Sequence, residues 1–288
     1  MLAVYRRELR AYFSSATGFV FMGFFLLLSG FFFAMINLFN ASPNYNSVLS
    51  EITFIFLIVV PILTMRLMSE EARQKTDQLL LTSPLRLSDI VLGKYLAAVT
   101  VFLMTLAVTC IYPIILSFFG KLAVWEIVGG YIGFFLLGSS FISIGLFISS
   151  LTDNQVIAAV ATFTALILIW VLNWLIQALP TSEASGLIFA AILVVAAALF
   201  VYYTTRNIYV SIAVGVVGIA IFTGIYFFSG SDFFEGFIGR VFKWFSLLDR
   251  YSDFQLGLLS LSPIVYYITF SAAFIFMTVR TLEKKRWS

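Results

Sequence analysis

The sequence contains no histidine, a single cysteine and few charges, with Asp, Glu, Lys and Arg together making only 11% of its 288 residues. Without imidazole, His metal sites, His proton relays and Ser-His or Cys-His catalysis are excluded. One cysteine can form neither an internal disulfide nor a multi-cysteine metal site, and Cys110, inside an apolar run, reads as a buried small residue. A phosphate loop of the form G-x-x-x-x-G-K-[ST] is also missing: Gly93-Lys94 and Gly120-Lys121 are followed by Tyr95 and Leu122. No H-E-x-x-H motif or paired carboxylates occur within an apolar stretch, so the chain is not expected to be an enzyme. A net charge of +3, scattered along the sequence, gives no reason to expect nucleic-acid binding.

What is abundant is hydrocarbon. The chain is 61% hydrophobic with a mean hydropathy of +1.05, whereas roughly a quarter of a soluble domain is charged. Eight apolar stretches are long enough to cross a bilayer: Thr17 to Phe39, Ile52 to Met68, Tyr95 to Phe119, Val124 to Ser149, Val156 to Ala178, Leu187 to Tyr203, Ile208 to Phe228 and Leu261 to Val279. The second is short unless it begins near Ser47. The expected fold is an all-α, polytopic membrane bundle in one transmembrane domain over residues 1–288. Tyr5-Arg-Arg-Glu-Leu-Arg10 before the first stretch looks like the start of a signal peptide, but the stretch is long and no A-x-A-like site follows, so cleavage is not expected.

Placing successive connections on alternate sides puts thirteen of the 17 Lys and Arg residues on one side, against Lys121, Arg240, Lys243 and Arg250 on the other. The positive-inside rule then makes both termini cytoplasmic. Three segments are neither spans nor short turns. Residues 1–15 mix apolar side chains with Arg6, Arg7, Glu8 and Arg10, as in a helix lying at the membrane interface against anionic lipid heads. Residues 69–88 are the most polar stretch. There Glu71 with Lys75, and Arg73 with Asp77, stand at i,i+4 spacing, while Ser83-Pro84 resembles the cap and first residue of a second helix. Residues 229–260 place Phe233, Phe234, Phe237, Val241, Phe242, Phe245 and Leu248 among charges, an amphipathic pattern for one or two interfacial helices, with Trp244 and Tyr251 at the headgroup level.

Few ionisable residues fall at membrane depth. Arg66 and Lys94 lie at inner span ends, from which they can snorkel, so coupling through a buried charge is disfavoured. Among polar residues within spans, Asn37, Thr162, Thr164 and Asn173 are expected to make interhelical hydrogen bonds. Small residues from Gly129 to Gly145 mark close helix packing, either internal or between subunits.

The stretch S-E-E-A-R-Q-K-T-D-Q-L-L-L-T-S-P-L-R-L-S-D-I-V-L-G-K from Ser69 to Lys94 resembles the first cytoplasmic loop of type-2 ABC exporter permeases, the ABC-2 family. It is most similar to the branch of gliding-motility and copper-nitrous-oxide-reductase maturation permeases. Gly145 to Gln155 resembles that family's second inner turn, and Phe245 to Gly257 and Val279 to Arg286 are further similar stretches. The resemblance implies that Glu70, Glu71, Arg73, Lys75, Thr76, Asp77, Leu79, Leu80, Thr82, Ser83 and Pro84 form the coupling loop that docks on a separate cytosolic ABC ATPase, with Thr152, Asp153, Asn154 and Gln155 as a second inner turn. It further implies that ATP and Mg are held by that ATPase and no cofactor by this chain. A second permease copy or a related one would complete a dimer in the inner (plasma) membrane, acting as an exporter. Residues 1–15 would then be the elbow helix, and 187–228 a helical pair inserted into a six-span core. A membrane scaffold docking an ATPase without transport is the alternative; an ion-coupled carrier would need an internal repeat, and none is evident.

Overall fold

The computed structural model describes residues 1–76, 86–229 and 233–287. Every element among them is helical, as hydrocarbon demands of backbone groups that have no water to bond to. In order they are α1 (Leu2–Ser14), α2 (Ala16–Phe33), which continues through a π-helical turn (Ala34–Phe39), and α3 (Asn46–Glu51), which leads through a 3₁₀ turn (Ile52–Ile55) into α4 (Phe56–Thr64). Then come α5 (Ser69–Arg73), α6 (Leu87–Thr109), α7 (Ile111–Ser117), α8 (Val124–Leu151), α9 (Gln155–Ala178), α10 (Glu183–Thr205), α11 (Ile208–Ser229), α12 (Phe237–Phe245), α13 (Leu247–Gln255) and α14 (Leu261–Trp287).

Among the described residues, eight helical stretches are long and apolar enough to span a membrane, matching the eight expected, and the protein is a polytopic helical membrane protein. The second runs over Asn46–Arg73, so the early start needed to lengthen it is present. The described chain divides into two compact units, residues 1–169 with 247–288, and residues 170–246.

The first unit is organised around α8, the most deeply buried span. Its small residues let neighbours approach within the unit. A side chain at Gly145 would meet Thr64 Oγ1 at 2.2 Å, one at Gly133 would meet Phe254 at 2.4 Å, and one at Gly138 would meet Phe102 at 2.5 Å. The stripe therefore serves internal packing. Phe56 meets Phe134 at 4.6 Å between ring centroids and Phe102 at 5.6 Å, and Phe25 lies 6.1 Å from Phe134, forming the aromatic centre. Asn46 fastens three segments by donating Nδ2 to the carbonyls of Glu126 (2.9 Å) and Gln255 (3.0 Å). Ser140 lies within hydrogen-bond distance of Ser271 Oγ (3.2 Å) on α14. Gly257 must be glycine twice over: φ is +72°, and a Cβ would stand 2.7 Å from the Glu126 Cα.

The second unit pairs α10 with α11, close enough that a Cβ on Gly218 would meet Val194 at 2.9 Å. The turn between them uses Arg206 in the left-handed region, and Asn207 Oδ1 caps α11 by accepting from the Tyr209 N–H at 3.0 Å. Phe189 of α10 packs on Phe242 of α12 (5.9 Å).

Five expectations fail at the level of single residues. Thr162 and Thr164 donate to Ala158 and Val160 of their own helix, because a β-hydroxyl reaches the i−4 carbonyl more readily than another helix. Asn37 donates to the carbonyls of Ser42 and Asn44 in the loop that follows its own helix and not to another helix, whereas Asn173 reaches a distant residue, accepting from Ser246 Oγ at 2.9 Å. Cys110 is exposed, at the break between α6 and α7. The amphipathic segment forms two helices, α12 and α13, and while Trp244 is exposed, Tyr251 is buried against Phe134 (6.3 Å) and not placed at a headgroup level.

Candidate functional site

The segment that follows α4 is held by residues of several elements, all in the first unit. Beyond α4 the chain makes a four-residue turn, Met65 to Met68, and re-enters helix as α5. Ser149, near the end of α8, anchors that re-entry. Its Oγ donates to the Met65 carbonyl (3.2 Å) and accepts from the N–H groups of Met68 (3.1 Å) and Ser69 (3.2 Å), satisfying donors that a helix start would otherwise leave open. The small hydroxyl fits because Gly145, one turn earlier, lets α8 close on Thr64.

α1 lies along α6 and is held at three levels. Gly93 is the contact point: a side chain there would reach Val4 Cβ and the Met1 carbonyl at 3.1 Å. Tyr5 Oη bonds Thr100 Oγ1 at 3.1 Å, and Tyr12 Oη donates to the Leu63 carbonyl of α4 at 2.7 Å. Burial raises the Tyr12 phenol well above its ordinary value, so it stays a neutral donor.

Between these helices sits a charge cluster. Lys94 of α6, 1% exposed, places Nζ 3.0 Å from Glu8 Oε1 of α1 and 3.0 Å from Glu71 Oε2 of α5. Arg7 closes the ring, at 2.6 Å from Glu8 and in contact with Glu71. Two cations and two anions leave the group neutral, which is what allows a lysine to be buried. Burial pushes the Glu8 carboxyl up, but the charge of Lys94 and the hydrogen bonds from Arg7 and Lys94 outweigh it, and the net shift is downward. Beside the ring, Arg66 holds Glu70 with two bonds (2.7 and 3.2 Å) and donates to Thr17 Oγ1 at 2.5 Å, tying α5 to the start of α2. A cavity of about 40 Å³, lined by Glu8, Tyr12, Arg66 and Glu70 among others, separates the two sets of pairs and is far too small for a nucleotide.

Lys94 therefore does not snorkel, contrary to expectation, because two carboxylates reach it from other segments. Glu71 does not pair with Lys75 either. Its oxygens are taken by Lys94 and Arg7, and Lys75, with φ +56°, lies beyond the end of α5, which stops at Arg73. Arg73, Lys75 and Thr76 follow directly, the two cations exposed. Asp77, Leu79, Leu80, Thr82, Ser83 and Pro84 lie outside the described residues, and α6 begins after them at Leu87 with Arg86 as its cap.

The second turn is a tight connection. Asn154 Oδ1 accepts from the N–H groups of Val156 (2.9 Å) and Ile157 (3.4 Å), capping α9, while Thr152 Oγ1 accepts from the Asn154 N–H. Asp153 faces Lys285 of α14 at 3.7 Å, and Gln155 begins α9. Both turns thus leave from α8 or are pinned to it, Ser149 standing three residues before Thr152. Glu8, Arg7 and Ser149 escaped the sequence reading as site residues; an isolated acid among the basic residues of α1 was the one available signal.

Among known families, the sequence model described as ABC-2 family transporter protein matches residues 20–204, well over half of the chain. No curated protein matches significantly.

Proposed function

We propose, from the premise that this chain belongs to the ABC-2 family of transporter proteins, that it receives the force of ATP hydrolysis through α5 and the residues that follow it. Membership makes the chain the membrane permease subunit of an ABC transporter, a multi-pass protein whose partner is an ABC ATPase. Our reading goes further in six respects. The end of the first unit that carries α1 and α5 faces the cytosol of a plasma membrane, the ATPase docks on the 69–88 segment with the 152–155 turn beside it, the ATPase alone binds ATP and Mg, and the transporter exports. Two permeases enclose the route, and the similarity of the loop favours the gliding-motility and nitrous-oxide-reductase maturation branch.

The observation that carries this reading is that α5 is fastened to three other helices at once: to α8 through Ser149, to α6 through Lys94 and to α1 through Arg7. A solvated loop needs no such anchorage, because exposed pairs contribute little. A lever needs it: displacement of α5 by a closing ATPase is then shared by α1, α6 and α8.

The test is purification of the tagged permease from its native membrane. A co-purifying ABC ATPase, whose ATP turnover in proteoliposomes depends on the permease, is the expected result. A permease that brings down no ATPase contradicts the proposal, and an ATPase complex that moves no substrate class on ATP addition makes the chain a scaffold.

A further inference from the structure

Among the described residues of the docking segment, both acids are consumed internally while the cations are left outside. Glu70 is held by Arg66, and Glu71 by Arg7 and Lys94. Arg73, Lys75 and Arg86 are exposed and form no ion pair among the described residues. The described residues of a segment that reads as alternating charge along the sequence therefore expose one sign.

From this sorting we infer that the docking surface is cationic, and that the ATPase surface it meets is acidic. The inference rests on the proposed docking function and adds the chemistry of the partner. The inner-leaflet lipid surface is the other anionic partner within reach, and position separates the two. Lys94 and Glu8 join α6 to the interfacial helix α1 and so mark the level of the membrane surface. Arg86 precedes Lys94 by eight residues of the same chain, which at 1.5 Å per helical residue is about 12 Å farther from the bilayer. Arg73 and Lys75 follow, along the chain, the Glu71 that reaches Lys94, and both are exposed. Lipid phosphates are met instead by Arg6 and Arg10, exposed one turn apart on α1. A protein partner can reach past that level; a headgroup cannot.

Complementary charge sets encounter rate and register more than total affinity, so the effect is read as recovery of complex and its salt dependence. In the tagged complex, the triple variant Arg73→Glu, Lys75→Glu, Arg86→Glu should lower the ATPase recovered per permease about tenfold or more, and raising salt to roughly 0.5 M should erode recovery of the wild-type complex. The exchange Arg73→Lys, Lys75→Arg, which keeps charge and changes shape, should retain the ATPase, and monodisperse elution of each variant in detergent shows that the membrane body is folded. Arg6→Gln with Arg10→Gln should leave recovery unchanged. If the triple reversal leaves recovery at the wild-type level, or if only the Arg6 and Arg10 changes lower it, the cations face lipid and the inference is overturned while the transporter reading stands. If the wild-type permease recovers no ATPase at all, the transporter reading fails first.

Discussion

Lys94 is a full charge with 1% exposure, and its cost is offset only by two carboxylates from other segments. Lys94→Ala leaves those acids with the half-exposed Arg7 as their one remaining cation and is expected to cost about 3–5 kcal/mol, the range for breaking a buried pair from one side. Thermal unfolding in detergent measures this, and protease should cut earlier within α1. Replacing Lys94 by Met together with Glu8→Gln and Glu71→Gln should recover much of the loss, since the one charge then left in the ring is Arg7, whose side chain is half exposed to solvent. An equal loss in the triple variant would show that packing, not charge, is the main contribution of Lys94. The cluster also fixes a pH response. Glu8 titrates below its ordinary value near 4.5 in the folded protein, so its contribution is complete above that value and disappears as pH falls through the lowered one. Cleavage within α1 should be flat from neutral pH down to about 5 and rise only below it; a rise near neutrality would mean that the ring is not formed as described.

At the level of elements, the joint between α8 and α5 depends on small side chains. Ser149→Ala removes three hydrogen bonds at the start of α5 and should lower stability by about 1–2 kcal/mol, while reducing permease-dependent ATP turnover more than ATPase recovery, because docking survives when transmission loosens. Gly145→Val would drive a side chain into Thr64, where a single added carbon already stands 2.2 Å from Oγ1, with an overpacking penalty of about 1–3 kcal/mol seen as a lower unfolding temperature. Span count and the extra length of the second span were legible in the sequence, because a run of apolar residues in a bilayer has few alternatives to helix. The small-residue stripe was legible as close packing. Its partners were not: Thr64, Phe254 and Phe102 lie 81, 121 and 36 residues away along the chain from the glycines they meet. Spacing along one helix also pointed Glu71 at Lys75, and the structure sent it to Lys94, since a buried cation attracts a carboxylate far more strongly than an exposed neighbour does.

For the whole molecule, the account places one end of the first unit in the cytosol and makes it the entry point for mechanical work. That end carries Arg6, Arg7, Arg10, Arg66, Arg73, Lys75 and Arg86, and the asymmetry of cations between the two sides was the sequence signal for its orientation. The most direct test is cysteine labelling in a Cys110→Ser background, with Lys75→Cys reporting the docking segment and Lys121→Cys, in the connection between α7 and α8, reporting the opposite side. In intact cells, a membrane-impermeant maleimide should label the Lys121 site and reach the Lys75 site only after permeabilisation. Labelling of the Lys75 site in intact cells would place the segment away from any cytosolic ATPase and contradict the account.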